Sequence, residues 1–266
     1  MEITEILGYL GALMVGVVLG LIGSGGSILT LPIMVYLFYL SPVTATAYSL
    51  FVVGTTALIG ALRNIPKKRV DFKTAFVFAT PAFISVFLTR RFIIPAIPEN
   101  LYSFGDFIFT KDIAIMVFFA IVMLAASITM ISSKKPEPEQ GEKVSYNYPL
   151  IIFQGIFLGF VTGAVGAGGG FLIIPALVLL AKLPMKKAVA TSLLIIAINS
   201  LIGFTGDIAT LDIDWKFLLI FTSISIVGIF LGIKLNAFID GKKLKKAFGW
   251  FVLLMAIYII FKEFPN

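Results

Sequence analysis

The sequence predicts an all-α polytopic membrane protein made of two inverted repeats of about five helices each, with short or broken helices after two glycine motifs. Three observations carry this. Of the 266 residues 59% are apolar and 13% charged, against about half and a quarter in soluble domains; mean hydropathy is +1.05. The apolar residues fall in runs with room for roughly eight to ten bilayer crossings at about 20 residues each. Finally, the segment Ala12 to Lys73 matches Gly155 to Lys216 without a gap, the mark of an internal repeat.

Read in order, the apolar runs between charged or Pro/Gly breaks lie near 5–22, 27–39, 44–62, 72–89 and 112–131, then 149–165, 170–181, 187–205, 215–235 and 245–261. The first carries Glu2 and Glu5 and no basic residue before Arg63, so it lacks the basic n-region of a signal peptide and is expected to stay as a helix. The second and seventh are too short to span comfortably, and each follows a glycine cluster. The fourth and ninth start at matched loops, Val70-Asp71-Phe72-Lys73 and Ile213-Asp214-Trp215-Lys216. The fifth ends at the hydrophilic stretch Ser132 to Asn147. The predicted division is therefore a first membrane repeat at 1–131, a cytoplasmic linker at 132–147 and a second membrane repeat at 148–266.

Five crossings per repeat force the second to enter the bilayer upside down. Loop charge agrees: Arg63, Lys67, Lys68, Arg69 and Lys73 make one loop basic, while its counterpart from Asp207 to Lys216 holds three Asp and one Lys. The positive-inside rule puts such loops on opposite sides. With the N-terminus outside, the cytoplasmic loops hold most of the 21 Lys and Arg. Arg90, Arg91 and Lys111 fall outside, against the rule. No Asp, Glu, Lys or Arg lies away from a helix end; Asp207 and Arg63 are assigned to the interface, and Tyr36, Tyr48 and Trp215 to the interface or the core.

The segments GSGGSILTLP (Gly23 to Pro32) and GAGGGFLIIP (Gly166 to Pro175) cannot propagate a stable helix, since each Gly costs nearly 1 kcal/mol relative to Ala. Unwound backbone inside a bilayer lines a cavity or is covered by protein. Broken helices at matching places in two repeats point to a transporter's binding site. The second and seventh helices would start there, aiming unpaired N–H groups and positive dipole ends at an anion, with no buried Lys or Arg to help. The alternative is that the glycines only permit close helix packing. No strand precedes either cluster and no Gly-Lys-Ser/Thr follows, so a nucleotide loop does not fit. Ser49, Thr56 and Gly60 share one helical face, as do Ser192, Asn199 and Gly203; these stripes either line a polar path or bond neighbouring helices.

With no His and no Cys, imidazole bases, thiolates and soft-metal ligands are absent. Neither cofactor nor metal is expected. An enzyme is disfavoured, because a Ser–Lys pair would need a lysine at membrane depth. The net charge of +7 reflects helix orientation rather than nucleic-acid binding. The expected partners are a small anionic substrate and membrane lipid.

The paired glycine motifs ending in Pro32 and Pro175, the run Ala190-Thr191-Ser192-Leu193, its variant Ala47-Tyr48-Ser49-Leu50 and the two-repeat layout together resemble the TauE/SafE sulfite-exporter family, also called TSUP. The resemblance covers essentially the whole chain. It implies a multi-pass transporter of the prokaryotic plasma (inner) membrane that carries small sulfur-containing anions such as sulfite, thiosulfate or organosulfonates. Its expected substrate-binding positions are Gly23, Ser24, Gly25, Gly26 and Ser27 in the first motif and Gly166, Ala167, Gly168, Gly169 and Gly170 in the second. To these are added Ser49, Thr56, Thr191, Ser192 and Asn199. Alternating access is the expected mechanism; a passive anion channel and a cation permease are the alternatives.

Overall fold

The computed structural model describes residues 3–23, 26–104, 107–132, 148–166, 173–174, 177, 183, 185–236 and 241–263. Among them run nine main helices: α1 (Ile3–Ile22), α2 (Gly26–Tyr36), α3 (Pro42–Asn64), α4 (Phe72–Leu88), α5 (Lys111–Ser132), α6 (Tyr148–Val165), α7 (Met185–Thr205), α8 (Trp215–Leu235) and α9 (Gly241–Glu263). They agree with the predicted runs to within a few residues. The predicted run 170–181 lies largely outside the described residues, and so does the linker from 133 onward. Six described helices are long and apolar enough to cross a membrane. The chain is thus a multi-pass membrane protein of all-α class.

Local chemistry sets the helix starts. Ser41 caps α3, with Pro42 in its first turn. Asp71 caps α4 and Asp214 caps α8, their Oδ1 atoms accepting from Thr74 N at 2.9 Å and Phe217 N at 3.0 Å. These two aspartates are equivalent in the repeat, which explains why their loop motif is duplicated.

Matched helices exchange partners in the packing. α1 packs chiefly on α8 and α6 on α4, while α3 faces α7 and α5 faces α9. In the first seam Gly16 and Gly20 of α1 lie against the backbone of α8 at Ser225 and Ile229, and Gly228 and Gly232 of α8 lie against Leu13 and Val17 of α1. Both helices therefore present small-xxx-small faces, letting the backbones meet where lipid gives no hydrophobic drive. The second seam is looser in composition: Gly155, Gly159 and Gly163 of α6 meet Pro81, Ala82 and Ser85 of α4 and Thr89 just beyond its end. A hydroxyl stitches each seam, Ser225 donating to Ala12 O at 2.9 Å and Ser85 to Ile156 O at 2.7 Å. Large apolar side chains such as Phe153, Phe157, Leu254 and Phe261 stand exposed on the outside, where a hydrocarbon solvent favours them.

Two features depart from the sequence reading. The stretch after α4 is not a loop at Arg90: the helix runs on through a π turn, Thr89–Ile93, and a final turn, Ile94–Ala96. Beyond it β1 (Asn100–Phe104) and β2 (Phe107–Thr110) pair as an antiparallel hairpin leading into α5.

Candidate functional site

The first glycine motif breaks the helix where the sequence places the break. α1 ends at Ile22, and Gly23 takes φ +77° while its N–H donates to Leu19 O at 2.7 Å. α6 ends at Val165, and Gly166 takes φ +69° with its N–H on Thr162 O at 2.8 Å. Only glycine enters this left-handed region without penalty. Both glycines are also pressed against the other half of the chain. A Cβ on Gly23 would meet Val189 of α7, with its Cγ1 at 2.6 Å and its carbonyl oxygen at 2.9 Å; one on Gly166 would meet the backbone of Thr46 in α3. Val189 and Thr46 are themselves repeat equivalents. Interruption and close packing therefore coexist at both turns. Gly26, the first residue of α2, rests on Val15 and Leu19 of α1.

The duplicated four-residue runs hold the halves together. Tyr48 OH accepts the Asp214 N–H at 2.6 Å, and Thr191 Oγ1 accepts the Asp71 N–H at 3.0 Å. Each side chain thus fixes the helix start of the opposite half, and Tyr48 fills the role of Thr191 with a longer reach. Leu50 and Leu193 lie against Gly203 and Gly60, so those glycines of the polar stripes make room for packing. The Ser192 hydroxyl lies 2.9 Å from Gly23 O and 2.8 Å from Val189 O, so its one proton is shared between two carbonyls at the first turn.

Its equivalent behaves otherwise. Ser49 is fully buried, and its Oγ has no partner among the described residues. Deeper along the α3–α7 contact, Thr56 Oγ1, Asn199 Oδ1 and Ser200 Oγ are also buried without partners. Each such group costs about 1–3 kcal/mol if left unbonded, so this seam has hydrogen-bonding capacity that packing does not use. Ser24, Gly25, Ala167, Gly168, Gly169 and Gly170 lie outside the described residues, and Ser27 is described in its backbone alone.

The structure adds a charged centre that sequence reasoning missed. Arg90 is fully buried whereas Arg91 beside it is exposed. Arg90 Nε donates to Asp207 Oδ2 at 2.7 Å, and Nη1 donates to Thr46 Oγ1 at 2.9 Å and to Gly163 O at 3.3 Å. Nη2 has no partner among the described residues. The guanidinium therefore sits between the end of α6, the first turns of α3 and the turn after α7, beside Gly166. Two expectations are corrected. Asp207 is buried and paired rather than interfacial, and an ionisable group does lie inside the helical bundle. Burial pushes the Asp207 carboxyl above the usual carboxylate range, and Arg90 partly offsets it. The one signal in the sequence was the misplaced Arg90 itself, a cation on the side where the positive-inside rule disfavours it. By contrast Arg63 remains exposed, over the Phe230 ring at 5.2 Å.

A groove of about 510 Å³ opens elsewhere, between α4 and α6, lined by residues such as Ile84, Leu88, Phe153 and Phe157. Its apolar lining suits lipid and has little to offer an anion.

Comparison with known proteins agrees with this architecture. The family model described as "Sulfite exporter TauE/SafE" matches residues 8–259. The "Probable membrane transporter protein YunE" of Bacillus subtilis is 29% identical over 275 residues, covering 93% of this chain and 92% of that one. A "Probable membrane transporter protein" of Xylella fastidiosa is 29% identical over 264 residues, covering 95% and 94%. In Methanocaldococcus jannaschii the "Probable membrane transporter protein MJ0441" is 38% identical over 117 residues, 42% of this chain and 44% of that one. No solved structure matches.

Proposed function

From the premise that the chain belongs to the sulfite exporter TauE/SafE family, and so is a membrane transporter, we propose that it moves small sulfur-containing anions such as sulfite, thiosulfate or organosulfonates by alternating access. The observation that carries this reading is the matched pair of left-handed glycines, Gly23 and Gly166, each seated on the first turns of the opposite half's long helix. Two near-equivalent frames give a transporter two conformations of similar energy, which an alternating cycle requires. The buried hydroxyls of Ser49 and, deeper along α3, Thr56 supply donors for an oxyanion, and the Asn199 amide on α7 is assigned to the same polar path. On sequence grounds the neighbouring glycines Gly25, Gly168 and Gly169, outside the described residues, are assigned to the same site. In this reading 1–131 and 148–266 are inverted repeats joined by a cytoplasmic linker at 132–147, in a prokaryotic inner membrane.

Uptake into proteoliposomes, measured across sulfite, thiosulfate, sulfate and methanesulfonate, tests it. The sulfur anions should be taken up, and unlabelled substrate on the far side should accelerate exchange. Uptake without such counterflow assigns a passive channel instead. A response to metal cations alone, with none to anions, assigns a cation permease.

A further inference from the structure

We propose that Arg90 is an anion-binding residue, its guanidinium Nη2 forming with the Ser49 hydroxyl a subsite for a singly charged oxyanion at the Gly166 turn. The inference rests on the anion-transport reading and names the group that recognises the charge. A guanidinium has five N–H donors. The proton on Nε goes to Asp207, and Nη1 serves Thr46 Oγ1 and Gly163 O, which leaves both protons of Nη2 without a partner among the described residues, on a side chain with no solvent exposure. A cation buried only as a structural staple is expected to satisfy its donors, because each idle one carries a desolvation cost.

A second observation points to the same place. Thr46 accepts from Arg90 and gives its own proton to Val43 O at 2.7 Å, so it orients the guanidinium and has no donor left for a ligand. Ser49 stands one helical turn further along α3, on the same face, with its hydroxyl unbonded. At the equivalent turn the hydroxyl of Ser192 is consumed by Gly23 O and Val189 O. Among the described residues, the Gly166 turn therefore keeps a free hydroxyl and a free guanidinium end, and the Gly23 turn does not. An oxyanion with two or three oxygens accepts from both, and charge-assisted bonds to guanidinium are the strong ones. Asp207 already neutralises Arg90, so the anion competes with that carboxylate. This favours a single negative charge over two.

The test measures binding of sodium sulfite, thiosulfate and methanesulfonate to the purified full chain, by calorimetry and by thermal shift, against sodium chloride at matched ionic strength. The variants are Arg90→Lys, Arg90→Gln, Asp207→Asn and the double variant Arg90→Gln/Asp207→Asn. The double variant buries no charge, so it remains informative if Arg90→Gln alone fails to fold. The proposal expects the double variant to bind these anions about tenfold more weakly or worse, a charge-assisted bond having been lost. Asp207→Asn should bind several-fold more tightly, its competing carboxylate gone, and Arg90→Lys should fall between wild type and the double variant. A wild-type response retained within twofold by the double variant overturns the assignment of Arg90 and leaves the transport reading standing. No response in the wild type to any of the three anions overturns both.

Discussion

At Gly23 the end of α1 is held by neutral groups: Ser192 donates to the Gly23 carbonyl, and the Asn236 amide donates to the Leu21 carbonyl. At Gly166 the end of α6 is held by a guanidinium, with Arg90 donating to Gly163 O and anchored in turn by Asp207. The backbones of the two turns are close copies, down to the sign of φ and the equivalent residue each glycine touches. The side chains around them are not. A duplicated frame thus fixes where the helices break, while the polar chemistry on each side is free to diverge, and here one side carries charge and an idle hydroxyl.

The largest contrast to test is sidedness. The loops before α4 and α8 are equivalent, and Lys68 and Asp212 are both exposed. With no native Cys, a cysteine at Lys68 should react with an impermeant maleimide only from the cytoplasm, and one at Asp212 only from outside. Labelling of both from one face breaks the inverted arrangement. Next comes the charge difference. Asp207→Ala leaves Arg90 buried and unpaired and should cost about 3–5 kcal/mol of stability, whereas Asn236→Ala on the neutral side should cost about 1 kcal/mol; thermal unfolding in detergent measures both, and equal losses erase the distinction.

A smaller effect separates the glycines. Gly23→Ala and Gly166→Ala each force a left-handed alanine, at about 1–2 kcal/mol. At Gly166 the new methyl also meets the Thr46 backbone, which cannot turn away, while at Gly23 it first meets a valine methyl. Gly166→Ala should therefore show the larger drop in melting temperature. The smallest effect distinguishes the serines: Ser192→Ala should lose about 1 kcal/mol, and Ser49→Ala, which removes a buried hydroxyl with no bond to lose, should leave the melting temperature unchanged or raise it. If Ser49→Ala is the more damaging of the two, the free hydroxyl has a structural partner after all.

Most of the helices were legible because apolar runs bounded by Gly, Pro and charge leave few choices for chain inside a bilayer. The breaks at Gly23 and Gly166 were legible for the same reason, since a cluster of glycines cannot carry a helix onward. Arg90 was not. A basic pair after Leu88 and Thr89 reads as the end of a span, and its burial depends on an aspartate 117 residues away that no local pattern announces. Thr191, expected at the substrate, also accepts the Asp71 N–H; that partner lies in the other half of the chain, beyond what helix periodicity encodes. The hairpin at 100–110 was missed because two strands of four or five residues leave too short an alternation to set against the helical signal around them.

The exchange of partners between matched helices also governs how the protein is made. α1 leaves the ribosome well before α8, for the bond from Ser225 to its Ala12 carbonyl joins residues 213 positions apart. At a synthesis rate of about 5–20 residues per second, α1 waits roughly 10–40 s for α8. Through that interval Gly16 and Gly20 present a bare backbone face to lipid or to a chaperone. α4 likewise waits for α6, so both of these seams close only once helices of the second half have been made.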